Sequence, residues 1–272
     1  MADMILTDSH MHTSFSSDST ASMRSMVEAA IALGLKHITF TDHQDFEYPS
    51  ASGCALFQLD KETYRDVFLD IRERYKNQIE VLWGVELGLM PHLADRISEF
   101  LEGELFDFVI GSSHLVHGKD PYSPGYFDGI SDEVGYAMYF KTIAENAAAI
   151  KTYDVYGHLD YVVRFGRMKD KSYRVSDYED DLRAGLMQII ADGKGIEINT
   201  RGLSRGLKQF HPHPDLLKLY RELCGEVITI GSDAHRPQEI AGYFALVKEG
   251  LLSLGFKYYA YYRQRQPVFI RL

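Results

Sequence analysis

Cysteine is almost missing: Cys54 and Cys224 are the only two in 272 residues. Two thiols cannot build a disulfide framework, and their scarcity points to a reducing compartment, the cytoplasm. Long apolar runs are missing as well. No uninterrupted apolar stretch approaches the ~20 residues of a membrane helix. The N-terminus also lacks the basic segment and apolar core of a secretory signal. Positive charge is in deficit, with 29 Lys and Arg against 39 Asp and Glu, a formal net charge of −10. That balance argues against a nucleic-acid surface, which needs clustered cations. It does not argue against a phosphorylated small molecule, because bound metal ions would reverse the sign locally. A glycine-rich phosphate loop of the dinucleotide or P-loop kind is absent too.

What is present is the composition of an ordinary globule, 45% hydrophobic and 25% charged, with no break that would divide residues 1–272 into domains. Met4–Thr7 reads as a first strand leading into Asp8-Ser9-His10-Met11-His12. Strand side chains alternate, so Asp8, His10 and His12 share one face, and two imidazoles there can reach one cation. Further strands are expected over 36–43, 79–89, 106–114, 155–160, 195–200 and 226–235. Helices are expected between and after them, over 22–33, 59–77, 93–102, 132–151, 178–192, 215–223 and 240–254. Residues 44–58, 117–132 and 202–214 read as loops, the second long enough for a lid or pocket wall. Strand and helix alternate without interruption, which predicts a parallel sheet with helical crossovers. A single-domain barrel of the (β/α) kind with about seven strands fits better than an open doubly wound sheet.

His10, His12, His43, Glu86, His114, His158, Asp233 and His235 all fall at or near the C-terminal ends of those strands. In a parallel barrel these ends converge on the face that carries the active site. His37, at the entry of its strand, falls at the other. Six imidazoles in one concavity would repel one another once protonated, whereas as neutral ligands of divalent cations they are favourable. Asp18, in the loop after the first strand, completes nine ligands, enough for three cations. Three divalent ions against Asp18, Glu86 and Asp233 leave a residual charge of about +3, a field suited to a phosphate dianion and to hydroxide at neutral pH.

These motifs resemble one family. DSHMH at 8–12, TDH at 41–43, Glu86 within GVELG, His114, GHLD at 157–160 and SDAH at 232–235 are similar in order and spacing to the polymerase-and-histidinol-phosphatase (PHP) family. Within it, HLDYVVRFG at 158–166, EINTRGL at 197–203, ITIGSDAH at 228–235 and the closing YYRQRQPVFIRL resemble the stand-alone histidinol-phosphate phosphatases. The resemblance implies a distorted (β/α)7 TIM-like barrel with a trinuclear site of Mn, Fe or Zn. One metal would take His10, His12, Glu86 and Asp233. A second would take Glu86, His114 and His158, and a third Asp18, His43 and His235. Many members of the family have a histidine where this chain has Asp18, an oxygen ligand and a harder one. The implied reaction is hydrolysis of L-histidinol phosphate, with a bridging hydroxide attacking phosphorus.

Arg164 and Arg201 follow the fifth and sixth strands and are the candidates for the phosphoryl group; the simpler reading for each is a surface ion pair. Histidinol carries an ammonium and an imidazole, so a carboxylate should meet it. Asp160 is the first candidate, as that contact or as leaving-group acid, with an outer role orienting a ligand histidine as its alternative. That outer role suits Asp8 and Asp42 better than catalysis. His92, His117, His211 and His213 read as solvated loop residues, although His211 and His213 could line the pocket. Cys224 reads as core, and Tyr122 and Tyr126 as neighbours of the mouth. The tail 256–272 would cover the barrel bottom or serve a dimer contact; the oligomeric state is left open.

Three other functions are weighed against this one. A broader phosphoesterase of the same family would act on nucleotides or other small phosphate esters. A metal-stabilised scaffold would have lost ligands, and here every position is filled. An amidohydrolase acting on C–N bonds would need a lysine at a strand end, and none is there.

Overall fold

The computed structural model describes residues 4–50 and 56–272. The expected loop residues 51–55, Cys54 among them, lie outside the described residues. In chain order the elements are β1 (Thr7–Met11), α1 (Met23–Ala32), β2 (His37–Phe40), β3 (His43–Gln44), α2 (Lys61–Tyr75), β4 (Glu80–Gly88), α3 (Ala94–Leu101), β5 (Phe108–Ser112) and α4 (Asp132–Ala149). There follow β6 (Val155–Tyr156), α5 (Glu179–Ala191), β7 (Gly195–Asn199), the short α6 (Arg201–Ser204), α7 (Pro214–Glu222), β8 (Ile228–Gly231), α8 (Phe244–Ser253), β9 (Tyr258–Arg263) and β10 (Gln266–Arg271).

Hydrogen-bonded neighbours run β1-β2-β4-β5-β6-β7-β8, all parallel, and the two-residue β3 extends the β2 chain along β4. Strands covered by helices on one side and filled on the other are buried on both faces, and β1, β5, β7 and β8 are buried throughout. The helices carry the matching pattern. In α2 the buried residues are Tyr64, Phe68, Ile71 and Tyr75, one stripe at helical spacing, and the Asp60 carboxylate caps its N-terminus by accepting from the Thr63 N–H.

The barrel closes unevenly. At its C-terminal end Met11 of β1 bridges Ala234 just past β8, His12 N–H donates to Ala234 O at 2.8 Å, and Asp233 N–H donates to His10 O at 2.8 Å. At the other end β8 pairs with β9 instead, Thr229 opposite Ala260, and the Tyr259 hydroxyl accepts the Leu6 N–H. The β9–β10 hairpin thus caps the bottom. Arg263 reaches Glu80, Arg265 reaches Asp154, and Tyr261 stacks on His37 with ring centroids 4.3 Å apart. Of the two roles open to the tail, covering the bottom is the one observed.

Several strands are shifted from, or shorter than, the expected ranges. Met4–Leu6 lie before β1, and GHLD at 157–160 lies after a β6 of two residues. The helix expected from 240 starts at Phe244, because Ala241 and Tyr243 take positive φ of 53° and 63°, outside helical space. Cys224 is not core: it is exposed beyond α7, with φ 67°.

Candidate metal centre

Glu86, late in β4 and buried, is the hub. Its Oε2 lies 3.2 Å from His10 Nε2, 3.5 Å from His12 Nε2 and 3.1 Å from His43 Nδ1. Its Oε1 lies 3.2 Å from His114 Nε2 and 2.9 Å from His158 Nε2, and accepts from the Ser112 hydroxyl at 2.8 Å. Asp233 Oδ1 is 3.5 Å from His12 Nε2, and Asp18 Oδ2 is 2.8 Å from His235 Nε2. All nine predicted ligands therefore meet in one cluster. Two atoms bound to one cation at ~2.1 Å lie roughly 3.0–3.4 Å apart, and the separations of 3.1–3.2 Å from Glu86 to His10, His43 and His114 fall in that range. Three groups have ligand atoms all within 4.8 Å of one another: His10, His12 and Glu86; His43, Glu86 and His114; and His12, His43 and His235. His43 thus faces Glu86 as well as the His235 side, and the expected three-way division is less sharp than the resemblance implies.

Four of the rings are held at their outer nitrogens by hydrogen bonds. His10 Nδ1–H donates to Glu197 Oε1 (2.5 Å), His114 Nδ1–H to Asp45 Oδ1 (2.7 Å), and His235 Nδ1–H to the Asp233 carbonyl (2.9 Å). His12 Nδ1–H donates to Ser16 Oγ, whose hydroxyl donates on to Asp42. In each case the Nε2 lone pair is turned inward, the arrangement a metal requires. Sequence reasoning missed Glu197, Asp45 and Ser16. Glu197 alternates with Asn199 on β7, and that period of two was the available signal. Asp42 braces Ser16 and Thr13, and Asp8 ties β1 to Ser232 and Ala241. Gly231 lets the strands close here: a Cβ on it would come within 2.3 Å of the His10 Cβ and 2.6 Å of Glu197 Oε1. Asp233 takes a left-handed φ of 54°, local strain of the kind that collects at functional positions.

The fields are opposed and matched. Burial disfavours an imidazolium at His10, yet Glu197 and Glu86 outweigh it and raise its pKa. Burial, with His235 and His43 beside it, pushes His12 well down, leaving it a neutral ligand. Against burial, His10, His114 and His43 hold the Glu86 carboxyl well below the usual range, and Arg201, His12 and His10 do the same for Asp233.

A cavity of about 450 Å³ opens over the cluster, bordered by Arg164, Arg201, Lys169, Asp120, Tyr122 and Phe165 among others. Arg164 is buried beside Tyr161, its Nη2 3.6 Å from Asp233 Oδ2. Arg201 Nη1–H donates to the Asp233 carbonyl at 2.5 Å and to Glu239. Neither is a surface ion pair. Asp160 is placed differently from the expectation: it does not border the cavity. Its Oδ1 accepts from His211 Nδ1–H at 2.5 Å and its Oδ2 from His213 N–H at 2.8 Å. His211 is not solvated but 1% exposed, whereas His92 and His117 are exposed as expected. His213 caps α7, and neither it nor His211 borders the cavity. The carboxylate that does border it from the loop side is Asp120, which accepts from the Tyr48 and Tyr161 hydroxyls. Tyr122 borders the mouth, while Tyr126 is buried against Gly135. No described helix is long and apolar enough to cross a membrane.

Comparison with known proteins agrees with this geometry. A profile of the PHP domain matches residues 8–201. The histidinol-phosphatase of Lactococcus lactis subsp. lactis (strain IL1403) is 33% identical over 232 residues, 84% of this chain and 83% of that protein. The histidinol-phosphatase of Bacillus subtilis (strain 168) is 25% identical over 257 residues, 86% of this chain and 94% of that protein. The crystal structure of the Lactococcus lactis histidinol phosphate phosphatase, complexed with zinc, L-histidinol and phosphate, superposes with a TM-score of 0.88 at 27% identity, covering 98% of this chain and all of that one. A parallel barrel whose strand ends gather imidazoles around one glutamate, and whose sequence aligns along most of its length with these relatives, belongs to the PHP family, on its histidinol-phosphatase branch.

Proposed function

We propose that this chain is a metal-dependent phosphomonoesterase that hydrolyses L-histidinol phosphate to L-histidinol and inorganic phosphate. The observation that carries the reading is a cluster of nine candidate ligands, buried or nearly so except for Asp18, beneath a cavity bordered by two arginines. His10, His12, Glu86 and Asp233 would hold one divalent ion, Glu86, His114 and His158 a second, and Asp18, His43 and His235 a third. When bound, such ions supply Lewis-acid charge against phosphoryl oxygens and make water acidic enough to attack at neutral pH. Mn, Fe and Zn all suit imidazole and carboxylate donors.

The protein's own part is positioning. Arg164 and Arg201 stand on two sides of Asp233 and supply guanidinium donors for the phosphoryl oxygens. Asp120, held by two tyrosine hydroxyls, faces the same cavity and replaces Asp160 as the acceptor for the cationic end of histidinol. Phe165 and Tyr122 supply apolar walls for an imidazole. The test pairs elemental analysis of protein purified without added metal with kcat/KM for histidinol phosphate, p-nitrophenyl phosphate and AMP. Bound divalent metal with the highest kcat/KM for histidinol phosphate is expected. Preference for AMP would move the reading to a broader phosphoesterase.

A further inference from the structure

Asp160 and His211 touch neither the predicted ligands' donor atoms nor the cavity, yet both are buried, at 2% and 1% exposure. We infer that they form a positioning pair: His211, oriented by Asp160, fixes the Arg164 guanidinium so that its outer edge faces the cavity for a phosphoryl group. This rests on the phosphomonoesterase reading above.

The geometry is a chain of three groups with one polarity. An ionised carboxylate only accepts, so the 2.5 Å contact from Asp160 Oδ1 places the proton on His211 Nδ1. The lone pair is then on Nε2, where it accepts from Arg164 Nε–H at 3.0 Å. Burial outweighs the Asp160 carboxylate and lowers the His211 pKa, which keeps the ring neutral and the acceptor available. The histidine cannot drift, because its backbone is paired both ways with Asn199 at the end of β7, at 2.7 and 2.8 Å. Gly202 makes room for it: a Cβ there would lie 2.8 Å from His211 Nε2.

With Nε anchored and its plane over the Tyr161 ring at 4.8 Å, Arg164 keeps a buried Nη2 that has no hydrogen-bond partner among the described residues. That nitrogen lies 3.6 Å from Asp233 Oδ2, an ion pair beyond hydrogen-bond length, so its N–H remains to be given to an anion entering the cavity that Arg164 borders. Arginine anchored at Nε is also pre-ordered, so less freedom is lost when the phosphoryl oxygens bind.

Two substitutions separate the halves of the chain. His211→Asn keeps a donor within reach of Asp160 but is too short to accept from Arg164, whereas His211→Gln places an amide oxygen near the lost Nε2. In the metal-loaded enzyme, His211→Asn should raise KM for phosphomonoesters and Ki for inorganic phosphate roughly tenfold, the usual scale of losing an orienting partner. Metal content and kcat should be nearly unchanged, and His211→Gln should recover most of the loss. In an Arg164→Ala background His211→Asn should add nothing. Asp160→Asn, equal in shape, is read the same way should His211→Asn lower the melting temperature. Unchanged KM and Ki in both variants overturns the assignment, as does a His211→Asn effect undiminished without Arg164. Using p-nitrophenyl phosphate and inorganic phosphate as probes keeps the two conclusions apart. Turnover of the aryl ester without turnover of histidinol phosphate would sink the substrate reading and leave this one standing.

Discussion

Replacing Glu197 by Gln changes one atom in shape and removes one charge, and its consequence follows from hydrogen-bond polarity. Glu197 Oε1 accepts from His10 Nδ1–H at 2.5 Å, and its Oε2 accepts from His158 N–H at 3.0 Å and Asn199 Nδ2–H at 3.3 Å. An amide has one oxygen. Turned toward His158 and Asn199, it leaves an NH2 facing His10 Nδ1, which must then accept, so the proton moves to Nε2 and closes that nitrogen to a metal. Turned toward His10, it sets the NH2 against two donors inside the barrel. Either choice costs the loss of a hydrogen bond to a charged acceptor, about 1.5–3 kcal/mol. That corresponds to roughly ten- to hundredfold weaker metal binding. Metal titration of chelator-stripped protein, with kcat/KM after reloading, measures it. A second signature accompanies the first. Glu197 and Glu86 raise the His10 pKa against the effect of burial, so metal uptake should release a proton, seen as a buffer-dependent heat, and Glu197→Gln should release less. A Glu197→Gln protein that binds metal and turns over like the parent would refute the tautomer argument.

His10→Ala and Asp233→Ala should each abolish bound metal and turnover together, and persistent phosphatase activity in either would remove that residue from the ligand set. Asp120→Asn should lower kcat/KM for histidinol phosphate by about tenfold or more, the worth of a charge-assisted hydrogen bond, while leaving p-nitrophenyl phosphate turnover intact; equal losses on both esters would count against a substrate contact. Stripping metal held at a thousandfold over its Kd should cost about 4 kcal/mol, a fall in Tm of roughly 8–16 °C for a chain of this size, and calorimetry showing no change would argue against a metal-stabilised core. In the stripped protein, Glu86 and Asp233 titrate below their ordinary range, for burial is outweighed by the imidazoles and by Arg201. Their stabilising contribution is complete above the unfolded carboxyl values near 4 and declines as pH falls through the depressed folded values; a Tm that stays level from pH 5 down to 2.5 would contradict this.

Much of the centre is legible along the chain because ligands on a parallel barrel occupy one recurrent place, the residue or two after each strand. His43, Glu86, His114, His158 and His235 could each be found from its own strand alone. The outer partners could not. Glu197 looks like any strand carboxylate until β7 and the end of β1 are known to flank β8, and Asp45 falls in an expected loop until β3 is known to lie beside β4. Asp160 shows the opposite case: alternation with His158 predicts a shared face, but the chain leaves the ladder after Tyr156 and the alternation no longer holds. His211 stands next to a proline in a loop, and loops are usually wet; only its backbone pairing with Asn199 turns it inward.

By itself the sequence determined the barrel class, the end of the barrel where the candidate site gathers and the nine residues that cluster there, because strand period and connection order are local properties read one residue after another. Tertiary structure alone decided which carboxylate orients which imidazole, which acid faces the cavity, and that the terminal hairpin closes the bottom. Those outcomes depend on atoms brought within 3 Å across large separations in sequence, 187 positions between His10 and Glu197 and 217 between Asp18 and His235, and no local pattern encodes a distance of that kind.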